Sequence, residues 1–383
     1  MKSTKVATSV IAVTSALWCG LNAWAQDTPA GVTTSQITIG QTISHGENAN
    51  PYAASVSMGI RLYIDKTNAG GGVGGRKLVL KVLDDKAKGD LAETNARTLV
   101  REGVFLLFAP MEGGPAEAVA KVAEESGVVL FAPLAGSPAL TQPSRSLVFP
   151  VRAAHRVEFE KLLSYAQTVG LSRIAFLRSD SAIGKAHSDN MSAEAKKVGR
   201  ELVAELVYKD DFTDAQIDAL VAKARESNAQ AIINHGSPRL YERFILRSKA
   251  ASFKPHFFAV NAGSSEIASR LGPDARGIVF SQITPSPDNG RVALVREFQN
   301  AWRAAYPRVS MSHGALEGFM SAKALVIGLQ RASYNLTKEN FIDKLYAKPI
   351  DLGGLDLIFA PNKHLGMRYV DLSFVRDDGK FAY

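Results

Sequence analysis

Glycines with the spacing of a phosphate-binding loop occur in the first third of the chain. Residues 68–76 read NAGGGVGGR, in which Gly70, Gly72 and Gly75 fit the pattern G-x-G-x-x-G. In a dinucleotide-binding fold this pattern follows a strand and opens a helix, whose first N–H groups bind the pyrophosphate. The glycines therefore suggest either cofactor chemistry or an ordinary turn, and the flanking elements must decide.

The elements on either side of these glycines stand in the wrong order for a cofactor loop. Upstream, residues 53–68 space Val56, Ile60 and Tyr63 at helical intervals. Downstream, residues 78–83 (LVLKVL) form a short apolar run that is typical of a strand. A glycine-rich segment between a helix and a strand is a helix C-terminus followed by a turn. The sequence therefore predicts no nucleotide here and no cofactor elsewhere.

Motifs for catalysis or metal binding are missing from the sequence. It has no H-E-x-x-H, no G-x-S-x-G elbow, no P-loop and no two histidines at metal-ligand spacing on one predicted helix. The histidines are dispersed: His45, His155, His187, His235, His256, His313 and His364. We therefore expect neither an enzyme nor a metal site. An enzyme whose catalytic residues meet only in space stays open as an alternative.

The first 25 residues have the pattern of a secretory signal peptide. Lys2 and Lys5 precede an apolar stretch, and an A-x-A signal ends at Ala25. Cys19 raises lipid anchoring as an alternative, but the residue before it is a large tryptophan, which favours cleavage after Ala25 instead. The mature chain would then contain no cysteine, so disulfides and thiolate chemistry are excluded. We expect a periplasmic protein.

The charge of the chain does not indicate nucleic-acid binding. The formal net charge is +8, and Lys2 and Lys5 of the leader contribute two of the positive charges. The remaining lysines and arginines are scattered, with no run of five or more. We expect a soluble monomer that binds no nucleic acid.

Short apolar strands alternate with helical patterns along most of the chain, which predicts an α/β fold with parallel sheets covered by helices. Two blocks have this rhythm, residues 36–152 and residues 153–282. The three helices that follow would complete the first block and the strand-rich tail the second. We therefore predict two Rossmann-like lobes joined by a hinge of several crossings, 36–152 with 283–350 and 153–282 with 351–383. Ligands in such sheets bind at the carboxyl ends of the strands.

Several segments, in this order and spacing, resemble type I periplasmic binding proteins, and more narrowly the leucine/isoleucine/valine-binding family of ABC importers. The segments are ITIGQTISHGENANPYAASVSMGIRLYIDKTNAGGGVGGRKLVLKVLDD from residue 37, DSAIGKA from 180, DDFTD from 210, ALEGFMSAKALVIGL from 315 and DLGGLDLIFAPNKHLG from 351. The resemblance covers residues 36–383. It implies a non-catalytic protein whose lobes close over a small solute and present it to a permease in the inner membrane.

The resemblance and the strand-end rule together predict the ligand-binding residues. The first lobe would supply His45, Glu47, Tyr52, Glu112, Gly113, Gly114, Leu134, Ala135, Gly136 and Ser137. The second lobe would supply Ser181, Ile183, Ser237, Pro238, Arg239 and Asn261, with His235 beside the cleft. The glycines before a predicted helix would leave their backbone N–H groups open to an anion.

Two of these residues bear on the ligand class. Glu112 would repel an anionic ligand, so either it faces solvent or the ligand carries a positive group. Asn261 falls where the resemblance implies an acid that pairs with an α-ammonium, and an amide carries no countercharge. This favours a carboxylate or another non-amino-acid solute over an α-amino acid. A sensor that docks on a membrane signalling receptor is the alternative to an importer component.

Overall fold

The computed structural model describes residues 29–46, 50–209, 211–261 and 263–383. The predicted signal peptide and Glu47 lie outside these residues. Within them, no helix is both long and apolar enough to cross a membrane.

The first lobe is built on a sheet whose described strands all run parallel. The strands are β1 (Gln36–Thr42), β2 (Lys77–Leu83), β3 (Leu107–Phe108), β4 (Leu130–Phe131) and β5 (Val148–Phe149). Their spatial order is β2-β1-β3-β4-β5, and the connecting helices are α1 (Pro51–Ala69), α2 (Gly89–Arg101) and α3 (Gly113–Ser126). All of β1 after its first residue is buried, as expected for a parallel strand covered on both faces.

The second lobe has a longer sheet with antiparallel strands at one edge. Its strands are β6 (Ile174–Ser179), β7 (Leu202–Tyr208), β8 (Ala231–His235), β9 (His256–Ala259), β10 (Val279–Gln282), and the tail strands β13 (Asp371–Val375) and β14 (Phe381–Ala382). The spatial order is β14-β13-β10-β9-β8-β6-β7. The helices are α4 (His155–Thr168), α5 (Ala182–Lys197), α6 (Asp214–Glu226), α7 (Pro238–Ala250) and α8 (Ser264–Leu271).

The remaining elements pack against the first lobe. They are α9 (Ala293–Ala305), α10 (His313–Ala332), α11 (Lys338–Ala347) and the short pair β11 (Ile350–Asp351) and β12 (Asp356–Leu357). Phe359 and Met367 lie in the same apolar core as β1. This packing differs from the predicted boundary at residue 351, because apolar side chains of 350–367 are buried on the first sheet. We therefore propose that only the last strands, β13 and β14, belong to the second lobe.

Helices α1 and α10 approach each other closely enough to require glycine at their contact. A Cβ atom on Gly59 would lie 1.9 Å from the carbonyl oxygen of Ala315, and one on Gly318 would lie 2.0 Å from that of Val56. Real Cβ contacts are never this short, so only glycine permits this spacing. The close packing brings the start of α1 against the start of α10, where Tyr52 of α1 contacts Glu317 of α10.

The glycine-rich segment is the predicted helix-to-strand turn. Helix α1 ends at Ala69 and β2 begins at Lys77, at the end of the sheet opposite the cleft described below. Gly72 has φ +76°, and a Cβ there would lie 2.0 Å from the carbonyl oxygen of Arg76. The sequence pattern predicts a helix over residues 188–200, but α5 begins earlier, at Ala182. Helix α8 is not predicted from the sequence.

Candidate functional site

A cavity of about 420 Å³ lies between the carboxyl ends of the two sheets. This volume is in the range of small-molecule sites. The lobes contact each other beside it, where Asn261 Nδ2 donates to the Tyr52 hydroxyl at 3.1 Å and Ser55 Oγ donates to Glu266 Oε1 at 2.7 Å. The contact joins α1 of the first lobe to the segment after β9 of the second.

Most of the residues predicted from the sequence line this cavity. They are Tyr52, Glu112, Gly113, Gly114, Leu134, Ala135, Ser137, Ser181, Ile183, Ser237, Pro238 and Asn261. These residues follow strands of both sheets, so the strand-end rule brought them together correctly in space. That they bind a ligand remains a prediction.

Three predicted residues lie elsewhere. His45 is exposed, and its backbone N–H donates to Asp84 Oδ1 at 3.2 Å. Gly136 lies behind the cavity wall, where its carbonyl accepts the backbone N–H of His155 at 3.1 Å. Arg239 is exposed on α7, with its guanidinium carbon 5.8 Å from the ring centre of Phe212. Each has local contacts on its own lobe that hold it away from the cavity.

The start of α3 presents backbone N–H groups to the cavity. Glu112 occupies the N-cap position with φ +68° and ψ +155°, and no side chain caps the helix there. This backbone region is populated almost only by glycine, so the turn is strained, which is common at functional sites. Gly113 and Gly114 follow with their N–H groups at the positive end of the helix dipole. This arrangement suits an anionic group.

Two further helices begin at the cavity, but side chains cap both of them. Ser181 Oγ accepts the backbone N–H of Gly184 at 3.0 Å at the start of α5. Ser237 Oγ accepts the backbone N–H of Leu240 at 3.3 Å at the start of α7. The Tyr208 hydroxyl accepts the backbone N–H of Ser237 at 2.8 Å. The positive ends of these two helix dipoles also favour an anion. The backbone N–H groups at the start of α3 are less occupied by capping side chains than those of α5 and α7.

The Glu112 side chain is half-buried in the cavity lining, which answers one question left by the sequence. Asn50 Nδ2 donates to Glu112 Oε1 at 3.5 Å. The carboxylate therefore does not simply face solvent. Its charge lies within the same cavity as the α3 amides and opposes an anion there.

A buried ionic cluster, formed by Arg152, Glu158 and Glu317, lies beneath the cavity. Arg152 Nη2 lies 3.0 Å from Glu158 Oε1 and Nη1 lies 3.4 Å from Glu317 Oε1, with all three side chains at most 4% exposed. Arg152 is on the first crossing between the lobes, Glu158 on α4 and Glu317 on α10. The cluster thus joins the two lobes through the crossing.

The two carboxylates of this cluster have different surroundings. Burial alone would raise the pKa of Glu158, but His155, Arg152 and Ser281 together lower it below its usual value. Burial raises the pKa of Glu317, even though Arg152 and the Tyr52 hydroxyl oppose the shift. The pKa of Arg152 falls with burial, but Glu317 and Glu158 outweigh that effect and raise it. Arg152 and Glu158 therefore remain charged.

The oxygens of Glu158 are fully occupied. Oε1 accepts from Arg152 and from His155 Nδ1, the latter at 2.8 Å. Oε2 accepts the backbone N–H of Asn261 at 2.8 Å and the Ser281 hydroxyl at 2.5 Å. Asn261 itself is buried, so its role in this structure is to hold Glu158 and Tyr52. Neither Glu158 nor Asn261 offers a free countercharge for a ligand ammonium.

Three histidines converge in the second-lobe wall of the cavity, and we call His155, His187 and His235 the histidine cluster. One ring nitrogen from each lies within 4.8 Å of the others. The ring centres of His187 and His235 are 3.8 Å apart, and His155 stands edge-on to His235 at 4.6 Å. Burial lowers the pKa of all three, to about 2 for His187. The rings are therefore neutral and carry a lone pair each.

The sequence did not identify several of these residues as part of the site. Arg152 and His155 follow β5, the last strand of the first sheet, and the strand-end rule would have included them had the crossing been treated as a loop. His187 was missed because the predicted start of α5 fell after it. His235 was placed beside the cleft, and the structure puts it in the cavity lining.

Comparisons with known proteins agree with this architecture. A family model described as periplasmic binding protein matches residues 36–380. Leu/Ile/Val-binding protein homolog 3 of Brucella melitensis biotype 1 is 26% identical over 353 residues, which cover 90% of this chain and 93% of that protein.

Solved structures have the same two-lobed fold. An extracellular ligand-binding receptor from Verminephrobacter eiseniae gives a TM-score of 0.82 at 26% identity, covering 91% of this chain and 100% of that one. A solute-binding protein of an ABC transporter from R. palustris, in complex with benzoate, gives a TM-score of 0.80 at 18% identity over 91% and 95% of the two chains. The second likeness, at its low identity, is evidence for the fold alone.

Proposed function

The chain belongs to the periplasmic binding protein family, of the leucine/isoleucine/valine-binding type, and we propose that it captures a small organic acid between its lobes and delivers it to the permease of an ABC importer. The family is extracytoplasmic, and export through a signal peptide cleaved after Ala25 is part of this proposal. Solute-binding proteins of ABC transporters have the same fold.

The observation that carries the proposal is the cavity between the two sheets with the α3 N–H groups at its wall. Gly113 and Gly114 both line the cavity, and the side chain of the N-cap residue, Glu112, makes no capping hydrogen bond to the helix start. A carboxylate at this position would accept hydrogen bonds from backbone donors and interact favourably with the helix dipole. A ligand held there would also contact the second lobe, so binding would favour the closed arrangement.

A carboxylate without an α-ammonium fits this cavity better than an amino acid. Glu158 has its oxygens occupied by internal donors, and Asn261 is neutral, so the position that would hold an ammonium offers no free charge. Burying an unpaired ammonium is costly. Glu112 is the carboxylate on the opposite wall, and its removal tests whether it repels the ligand or attracts it.

Isothermal titration calorimetry against two panels tests the ligand class. One panel contains small aliphatic and aromatic carboxylates, and the other contains leucine, isoleucine, valine and their amides. We expect a carboxylate to bind with a dissociation constant in roughly the micromolar range or tighter. Leucine binding in that range, with no carboxylate binding, would contradict the proposed ligand class.

Small-angle scattering tests the closing motion. Addition of the best carboxylate to saturation should reduce the radius of gyration or narrow the distribution of interatomic distances, because contacts to both lobes stabilise the closed state. An unchanged scattering curve at saturation would argue against a hinge mechanism.

A further inference from the structure

We propose that the histidine cluster binds one divalent transition-metal ion of the zinc, nickel and copper class, with an open coordination position facing the cavity. This goes beyond capture of an organic acid, because it gives the cleft a second, inorganic ligand. No sequence motif indicated it, since the three histidines come from α4, α5 and the end of β8.

The geometry is close to that of a three-histidine site. Nitrogen ligands about 2.1 Å from a tetrahedral zinc ion lie about 3.4 Å from one another. The nitrogens of the histidine cluster are within 4.8 Å of one another. Rotation of the imidazole rings is needed to bring the nitrogens from this separation to ligand distance. Three protein ligands leave the fourth position to water or solute, as in open zinc sites.

An unpartnered nitrogen points to the same conclusion. His187 is 1% exposed, and its Nδ1 has no hydrogen-bond partner among the described residues. A buried polar atom in this condition is costly and calls for an explanation, of which an ion is one. Neutral imidazole nitrogens are preferred ligands for zinc, nickel and copper.

The surroundings of His155 orient its ring for coordination. Glu158 Oε1 accepts a hydrogen bond from His155 Nδ1 at 2.8 Å, which places the proton on Nδ1 and leaves the Nε2 lone pair available. Arg152 and Ser281 fix Glu158 in turn. Metal-binding histidines usually donate their second N–H to a carboxylate in this way.

An apolar shell surrounds the other side of the rings. Phe159 lies with its ring centre 6.0 Å from that of His187 and 5.8 Å from that of His235. Phe176 lies 6.4 Å from His235. Such a shell limits water on that side, so a bound ion would exchange ligands only towards the cavity.

All three ligands belong to the second lobe, so the site does not need the lobes to close. Metal binding should therefore be measurable without any organic solute, and solute binding can be measured separately in a chelator. The two proposals can thus fail independently of each other.

The test uses the untagged mature protein after dialysis against EDTA and then metal-free buffer. Titration with ZnCl₂ alone, followed by calorimetry, should show one ion per chain with a dissociation constant in roughly the micromolar range or tighter. Titration with CoCl₂ should give visible absorption bands of the intensity that four-coordinate cobalt shows. Elemental analysis after gel filtration should return one zinc per protein.

The variants compare the cluster with a histidine outside it. His187→Phe keeps an aromatic ring against Phe159 and should weaken zinc binding at least about tenfold. His235→Gln is a second variant with the same expectation, in case the first does not fold. His256→Gln, at an exposed residue of β9, should bind zinc as the wild type does. Absence of stoichiometric zinc in the wild type, or equal zinc binding by the folded cluster variants, would overturn the proposal.

Discussion

The two walls of the cleft are built from different chemistry. The first-lobe wall includes exposed backbone, with Gly113 and Gly114 at the start of α3 and Leu134 and Ala135 after β4. The second-lobe wall includes the rings of the histidine cluster and of Tyr208. One wall offers N–H groups to an anion, and the other offers neutral nitrogen lone pairs. The polar groups of the cleft are therefore divided between the two lobes, and a substitution can change one wall without changing the other.

The buried ionic cluster connects the two lobes beneath the cavity. Arg152 joins Glu158 of the second lobe to Glu317 of the first. Surface ion pairs such as Arg276 with Asp377 have both side chains about 70% exposed and contribute little. We therefore expect the buried cluster to affect stability more than such an exposed pair does.

We expect the largest loss of stability from Arg152→Met, because this change leaves two carboxylates buried without their cation. Removing one partner of a buried ion pair costs about 3–5 kcal/mol of the free energy of unfolding. Urea denaturation of the variant and the wild type measures the loss. As the control, Arg276→Met should change stability by less than about 1 kcal/mol. Equal losses in the two variants would mean that the cluster does not hold the walls together.

We expect the next largest loss of stability at the contact between α1 and α10, which positions the first-lobe wall. Gly318→Ala would place a Cβ 2.0 Å from the carbonyl oxygen of Val56 and force α1 and α10 apart. We expect a loss of about 1–3 kcal/mol, measured by urea denaturation. Gly114→Ala has open space at its Cβ and should lose no stability. A Gly318→Ala variant as stable as the wild type would show that the contact adjusts freely.

A second link between the lobes should make stability depend on pH. His313 of α10 is buried between Thr284 Oγ1 at 2.9 Å and the Tyr383 hydroxyl at 2.8 Å, and burial lowers its pKa to about 3. The unfolded chain binds a proton below about pH 6.5 while the folded chain does not, so stability falls as pH falls towards 3.

His313→Gln should remove this part of the pH dependence. The wild-type stability should fall relative to the variant by up to about 1.4 kcal/mol per pH unit below pH 6.5. Thermal or urea unfolding of both proteins between pH 7 and pH 4 measures the difference. Parallel stability curves for the two proteins would contradict the assignment of a neutral buried histidine.

The sequence predicted the first-lobe wall better than the second, and the reason is physical. Gly113, Gly114, Leu134 and Ala135 follow strands whose apolar runs are plain, and short strand-to-helix loops put them at the sheet edge. His187 required the correct start of α5, which depends on a serine cap that competes with other local turns. Helix boundaries are set by such small energies, so they are harder to predict than the presence of a helix.

The ionic cluster could not be predicted from spacing. Arg152, Glu158 and Glu317 are brought together by the chain crossings, and nothing in the local pattern around Glu317 distinguishes a buried carboxylate from an exposed one. The fold, in contrast, follows from the alternation of strands and helices. The tail segment 350–367 shows the limit, because its short apolar runs fit either lobe until packing decides.

The smallest expected effect is a change in carboxylate affinity when the charge of Glu112 is removed from the first-lobe wall. Glu112→Gln keeps the side-chain shape and removes a negative charge from the wall that holds the α3 amides. Two like charges in a partly solvated cavity repel by about 1 kcal/mol, so carboxylate affinity should rise about fivefold. Calorimetry measures the change. A weaker affinity in the variant would mean that Glu112 binds a positive group on the ligand.

If the solute occupies the cavity between the two walls, a bulky side chain placed in the cavity should abolish its binding, which calorimetry measures. Ile183 lines the cavity, whereas Val169 is 46% exposed at the end of α4. The best carboxylate from the panel is titrated into Ile183→Trp and, as the control, Val169→Trp. We expect the binding heat to disappear in Ile183→Trp and to be retained in Val169→Trp. Undiminished binding by a folded Ile183→Trp protein would contradict it.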